Sequence, residues 1–144
     1  MYRKVLVTLD GSPLAECVLS HATAVAKGCA VPEVWLLRVV EPMPIGEGVT
    51  QEFIYKVYGE REKIAKKYLE GIAKGLRDQG MTVNIQVTQG QAADEIVTFA
   101  EKSKVDLIIM ATHGRSGMGR WVFGSVSDRV LREAKVPMLL VRCK

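Results

Sequence analysis

The sequence is short of cysteine, and what it has is poorly spaced for covalent or metal scaffolding. Three cysteines stand at positions 17, 29 and 143 of 144 residues, an odd number with no Cys-x-x-Cys pair. That argues against a disulfide framework and against a zinc site. The thiols read instead as small apolar side chains of a protein in a reducing compartment, the cytoplasm. Long apolar runs are also missing. Nothing approaches the roughly 18 residues that span a bilayer, so no membrane partner is expected. The first segment, MYRKVLVTLDGS, has an apolar stretch of only a few residues, broken by Asp10, and is no secretory signal. There is no block of like charge either: 20 Lys and Arg oppose 16 Asp and Glu, a net +4 dispersed along the chain. Such a balance gives no footing for nucleic acid, although it would not repel a phosphate ligand. Linkers and internal repeats are absent too, so residues 1–144 are expected to form one domain.

What is present is an alternation of strand and helix patterns. Lys4 to Leu9 reads as a buried strand, and Ser12 with Pro13 opens a helix carrying Leu14, Val18, His21, Ala22 and Val25 at helical spacing. On that apolar face His21 is expected to be structural. EVWLLRVV (33–40) is a second strand, and EPMPIGEGVTQ (41–51) a loop with two prolines and two glycines. Residues 52–79 form a long amphipathic helix, its apolar face set by Ile64, Tyr68, Ile72 and Leu76 and its centre weakened by Gly71 and Gly75. A third strand covers 81–88. A helix over 92–102 turns Ile96, Val97 and Ala100 inward, and a fourth strand covers 105–111. Ser125 to Ala134 is a helix and Val136 to Arg142 the fifth strand. The fold class is therefore α/β, a five-stranded parallel sheet with helices on both faces, Rossmann-like. Ligands of such sheets bind beyond the carboxyl ends of the strands, where the winding reverses. That rule singles out Thr8 to Ser12 and Met110 to Gly124.

The second of these stretches holds ATHGRSGMGRWVFGS, residues 111–125, with glycines at 114, 117, 119 and 124. Glycine permits positive φ and close approach of N–H groups to an anion, and the following helix adds its positive end. Gly124, Ser125 and Ser127 can thus hold phosphate oxygens while Arg115 and Arg120 screen charge. A plain mobile connection explains glycines equally well. The nucleotide P-loop pattern fails, since GRSGMGRW has Arg for Lys and Trp for Ser or Thr. The dinucleotide fingerprint G-x-G-x-x-G does not occur. In the first stretch Asp10 poses a choice between phosphatase nucleophile, ligand-holding carboxylate and helix cap. The aspartyl-phosphate pattern D-x-D-G-[ST] has Thr8 at its nucleophile's place, so that chemistry lacks its reactive group. The other two roles remain open and compatible.

Together with its flanks the glycine-rich stretch resembles the signature of the universal stress protein family, in which G-x-x-G is followed after nine residues by G-[ST]. Gly114, Gly124 and Ser125 match it, and Ala111 stands where the first glycine belongs. The likeness extends to KVLVTLDGS (4–12), LLRVVEP (36–42), Gly90 to Ile96, DLIIMATHGRSG (106–117) and VPMLLV (136–141). It implies the family's ATP-binding branch, with ATP, ADP or AMP lying across the crevice between strands 1 and 4. Asp10, with Thr8 beside it, would face ribose and adenine. Val39 would touch the base, and Met110 would pack near it. Ala111, Gly114, Arg115, Gly124, Ser125, Val126 and Ser127 would surround the phosphates, which Mg2+ can bridge, and His113 would either touch phosphate or fix the loop through a backbone bond. It further implies a homodimer through Val136 to Val141, where an apolar edge strand would otherwise stay open. With no general base placed for water and no acidic pair for Mg2+, no catalytic and no metal-ligating residues are assigned. The expected role is that of a stress-response regulatory protein. The alternatives are a dimeric interaction module that has lost the nucleotide and a slow ATPase.

Overall fold

The structure, a computed structural model, describes residues 1–113 and 124–143, with His113 by its backbone alone. Its strands are β1 (Lys4–Thr8), β2 (Glu33–Val40), β3 (Val83–Gln89), β4 (Leu107–His113) and β5 (Met138–Cys143). Its helices are α1 (Val18–Gly28), α2 (Gln51–Arg77), α3 (Ala92–Lys102) and α4 (Ser125–Glu133), with a 3-10 turn at Ala15–Cys17 ahead of α1. The strands form one sheet in the order β3-β2-β1-β4-β5, all neighbours parallel. Val7 lies opposite Leu36 on one side and Ile109 on the other, which puts β1 in the middle.

The period-2 alternation of β1 divides the core in two. Val5, Val7 and Leu9 pack with Val18 and Ala22 of α1 and with Leu69 and Ala73 of α2. Leu6 packs on the opposite face with Leu37, Ile108 and Met110, under Ala93, Ile96 and Ala100 of α3 and Val130 of α4. Both faces are thus covered, as a wholly parallel sheet requires. Leu6, Leu36, Leu37, Leu69, Ile108 and Ile109 are completely enclosed. Each contributes about 1.5–3 kcal/mol by leaving water.

Several elements depart from the sequence reading. Helix α1 begins at Val18 and not at Ser12, because the chain first makes the 3-10 turn. His21 is exposed and not part of the packed face. The fully buried residues of α2 are Ala65, Leu69, Ala73 and Leu76; of the predicted face Leu76 is buried, Tyr68 and Ile72 pack partly buried against the core, and Ile64 is 63% exposed. The two alanines let the helix sit close to the sheet, with Tyr68 and Ile72 packed at its flank. In α3 Ala93 is buried and Val97 only partly. Strand β4 runs two residues past Ala111, and β5 starts after Pro137.

The cysteines require the largest correction. Cys17 and Cys143 are joined as a disulfide, their Cα atoms 6.0 Å apart, and only Cys29 is free. A separation of 126 residues hid this pair. The end of β5 comes alongside the 3-10 turn only through the pairing of β1 with β4 and of β4 with β5.

Helix α2 is continuous through Gly71 and Gly75, and a Cβ at either would meet nothing within 4 Å. Gly71→Ala is therefore expected to stabilise the protein by about 0.5–1 kcal/mol, read as a higher urea midpoint at unchanged slope.

Candidate functional site

The winding direction reverses between β1 and β4, since β1 leads outward through β2 to β3 and the chain then returns to β4 on the other side. The carboxyl ends of these strands part there and leave a hollow. A cavity of about 780 Å³ occupies that place.

Its first wall is the end of β1. Leu9 continues the sheet pairing, its N–H donating to the Leu37 carbonyl at 2.9 Å. Asp10 then turns the chain. Its Oδ1 accepts from the Ser12 N–H at 2.8 Å and from the Ser12 hydroxyl at 2.6 Å, and the Ser12 hydroxyl accepts from the Ala15 N–H at 3.2 Å. Asp10 is thus a local cap, working through Ser12. Oδ2 has no hydrogen-bond partner among the described residues, and Asp10 lines the cavity, so the cap leaves one carboxylate oxygen for another use. Gly11 is required at this turn. Its φ is +85°, and a Cβ there would lie 2.7 Å from the Arg38 guanidinium.

Arg38 ties this turn to two other elements. Its guanidinium stacks 5.2 Å from the Tyr68 ring of α2, and the Tyr68 hydroxyl donates to Glu16 Oε1 at 2.9 Å. Burial, together with that hydrogen bond to Glu16, pushes the Tyr68 phenol above its ordinary pKa, so it stays a donor at physiological pH. The end of β2 supplies Leu37, Val39 and Val40 to the cavity. Beyond it, Arg61 donates to the Glu41 carbonyl at 2.9 Å and the Tyr58 hydroxyl accepts from the Met43 N–H at 2.8 Å, so α2 holds this connection in place.

The opposite wall comes from β4 and α4. Met110 and Ala111 end the strand's described contribution to the cavity. Gly124 is the N-cap of α4 at φ +88° and ψ 142°, with no side-chain cap. The amides of a helix's first turn have no intrahelical acceptor, and with the helix dipole they make this end attractive to an anion. Ser125, Val126 and Ser127 all line the cavity. Ser127 is buried, and its hydroxyl donates to the Gly124 carbonyl at 3.2 Å, which fixes the first turn. Arg129 of α4 pairs with Asp94 of α3 and braces the helix from behind.

Of the residues singled out from the sequence, Thr8, Asp10, Val39, Met110, Ala111, Gly124, Ser125, Val126 and Ser127 meet around this one cavity. Gly114 and Arg115 lie outside the described residues, as do Arg120 and Trp121, and His113 is placed by its backbone only. Arg38, Glu41, Arg61, Ile64, Ala92 and Ile96 also line the cavity and were not anticipated. Arg38 and Glu41 lie inside LLRVVEP, a usable signal. Arg61 reads as part of a solvated helix face and Ile64 as part of the helix's core-facing side, because nothing local indicates that α2 folds back over the end of β2.

A doubly wound parallel sheet with a cavity at its switch point defines the class of α/β proteins that take ligands at the strand ends. Within that class the assignment is narrower: the universal stress protein family's sequence model matches residues 1–142, and the chain belongs to that family. It is 33% identical over 158 aligned positions to universal stress protein MJ0577 of Methanocaldococcus jannaschii, covering 100% of this chain and 97% of that one. The solved structure of MJ0577 superposes with a TM-score of 0.84, at 35% identity and covering 100% and 98% of the two chains. The fold is shared with two further solved structures. One is a universal stress protein in complex with cAMP, with TM-score 0.73, 20% identity and 98% and 97% coverage. The other is the universal stress protein from Archaeoglobus fulgidus in complex with dAMP, with TM-score 0.64, 24% identity and 96% and 97% coverage. Among the described residues no helix is long and apolar enough to cross a membrane.

Proposed function

We propose that this chain binds an adenine nucleotide, ATP foremost and ADP or AMP in the same manner, in the cavity between the ends of β1 and β4. The protein then acts as a stress-response regulator with little or no turnover. The observation that carries this reading is the convergence of Asp10 and the N-terminus of α4 on one cavity of about 780 Å³. That size suits a nucleotide-sized ligand, and the two walls differ in the chemistry a nucleotide needs. A carboxylate with a spare oxygen suits ribose hydroxyls. Apolar Val39 and Met110 suit a base. Gly124, Ser125, Val126 and Ser127 suit phosphates, with Gly114, Arg115 and His113 of the neighbouring segment assigned to the same end and Mg2+ carried by the phosphates themselves. The cAMP and dAMP complexes of proteins with this fold accord with an adenine nucleotide. A cytoplasmic setting belongs to the same reading.

Calorimetric titration with ATP and Mg2+ tests it. Saturable one-to-one binding is expected, together with absorbance near 260 nm in gently purified protein. No heat of binding and no copurifying nucleotide would leave the chain an interaction module. Phosphate release that a Gly124 variant abolishes would make it an ATPase.

The homodimer belongs to this proposal as well. Strand β5 is an edge strand, and Met138, Leu139 and Leu140 are only partly buried. An open apolar edge invites pairing with a second copy through residues 136–141. Sedimentation at micromolar concentration is expected to give twice the 15.9 kDa chain mass; a single species at that mass would overturn the dimer.

A further inference from the structure

The Cys17–Cys143 bridge joins the two walls of the candidate site from outside. Cys17 closes the 3-10 turn that follows Asp10-Gly11-Ser12 and is the N-cap of α1. Cys143 ends β5 and lies opposite His113, the last described residue of β4. The bridge therefore ties the turn carrying Asp10 to the strand pair from which the glycine-rich segment departs. Its Cα separation of 6.0 Å falls in the ordinary range for disulfides, so closing it asks little of the backbone.

The two sulfurs differ in access. Cys143 is 3% exposed, inside the core cluster of Val18 and Val141, whereas Cys17 is half-buried at a helix N-terminus. A thiolate is the attacking form in disulfide exchange, and the more accessible Cys17 sulfur is the one an external disulfide reaches. Cys29, the third thiol, sits just past the far end of the 11-residue α1 and is exposed. It is too distant to bridge to either sulfur of the pair.

We propose that Cys17 and Cys143 form a reversible thiol–disulfide site, exchanging with small-molecule disulfides of the glutathione class, whose closed form preorganises the nucleotide cavity. In closing, the Cys17 thiolate attacks one sulfur of glutathione disulfide and expels one glutathione thiolate, leaving a mixed disulfide. The Cys143 thiolate then attacks the Cys17 sulfur and expels the second. The protein thiols lose two electrons and two protons, and both are carried away as two glutathione thiols. The coupling to ligand rests on the nucleotide reading above. A closed bridge removes freedom that the turn at Asp10 would otherwise lose on binding. By reciprocity the bound ligand must make the bridge harder to reduce.

The experiment titrates the purified full chain in glutathione buffers of graded potential, quenches with an alkylating reagent and counts blocked thiols by mass. Cys17 and Cys143 are expected to become protected together with no added mass, as an internal bridge, whereas exposed Cys29 is blocked only as a glutathione adduct. The oxidised form is expected to bind ATP about fivefold more tightly than the reduced form. Saturating ATP then lowers the midpoint potential by about 20 mV, the same factor on the two-electron scale. Independently of any nucleotide, reduction is expected to lower the melting temperature by about 10 °C, because the closed loop is long. Cys17→Ser should bind ATP as the reduced protein does and ignore the buffer, whereas Cys29→Ser should behave as the wild type. Cys17 alkylated even in the most oxidising buffer would overturn the exchange site. A bridge that closes without changing ATP affinity or midpoint would overturn the coupling alone. A bridge that closes while neither form binds ATP would remove the coupling and the nucleotide reading together, with the thiol counts still establishing the exchange site.

Discussion

Replacing Gly124 with valine is expected to weaken ATP binding at least tenfold, the largest effect of any single change at the site. The reason lies in the backbone. Gly124 has φ +88° and ψ 142°, a conformation that L residues rarely adopt and that a β-branched side chain resists most. A Cβ there would also come within 3.2 Å of the Ser127 hydroxyl, which is buried and holds the first turn of α4 through the Gly124 carbonyl. Two responses are open to the chain. It can keep the backbone and carry about 1–3 kcal/mol of local strain. Or it can rotate the peptide, which swings the amides of Ser125 and Val126 away from the cavity. The first lowers stability, whereas the rotation, which relieves that strain, removes part of the anion-binding end, and a loss of about 1.4 kcal/mol there is already tenfold. Gly124→Ala tests the same φ with a smaller side chain and should fall between valine and the wild type. Calorimetric affinity paired with thermal melting separates a damaged site from a damaged fold, since Gly124 only precedes α4 while Val130 anchors the helix in the core with Leu6 of β1. Wild-type affinity in Gly124→Val would remove this helix end from the binding site.

The parts of this architecture that repeat along the chain were legible in the sequence, and those that depend on distant segments meeting were not. Each strand announced itself by an apolar, β-branched run, alternating in the first and third, so the parallel sheet and its two covered faces followed. The crevice followed from topology alone, which is why Asp10 and Gly124, 114 residues apart in the sequence, could be placed at one cavity before any side chain was located. The errors have a common cause. Ser12 carries the signals of a helix cap, and it does cap, but what it caps is a 3-10 turn; periodicity over one turn does not distinguish the two. In α2 the residues chosen for burial were the larger apolar ones, yet the sheet accepts Ala65 and Ala73, because the distance between helix and sheet is a tertiary quantity. Arg38 reads as a polar interruption of a strand, and its stack on Tyr68 beneath Gly11 depends on where α2 returns. The pairing of Cys17 with Cys143 is the extreme instance, since no local pattern links the start of the first helix to the end of the last strand.

Asp10→Ala is expected to lower ATP affinity at least tenfold as well, but its interpretation turns on a second variant. Alanine removes two things together. One is the cap, in which Oδ1 accepts from the Ser12 amide and hydroxyl. The other is the charge at the cavity wall. Loss of such a cap costs about 0.5–2 kcal/mol of stability. A charge-assisted hydrogen bond to a sugar hydroxyl contributes about 1.5–3 kcal/mol to binding. Asp10→Asn separates them. Its side-chain oxygen still accepts from Ser12, so melting should stay close to the wild type, while the lost charge weakens the contact with ribose. Affinity should then fall to a value between alanine and the wild type at nearly unchanged stability. If asparagine restores wild-type affinity in full, Asp10 serves only as the cap of its own turn. Because Asp10 and Gly124 stand on opposite walls, their effects on binding free energy should add when combined, provided each contacts a different part of one bound molecule. A double variant no weaker than either single one would mean instead that both changes disturb the same loop geometry, and the picture of a nucleotide held between two separate walls would have to be abandoned.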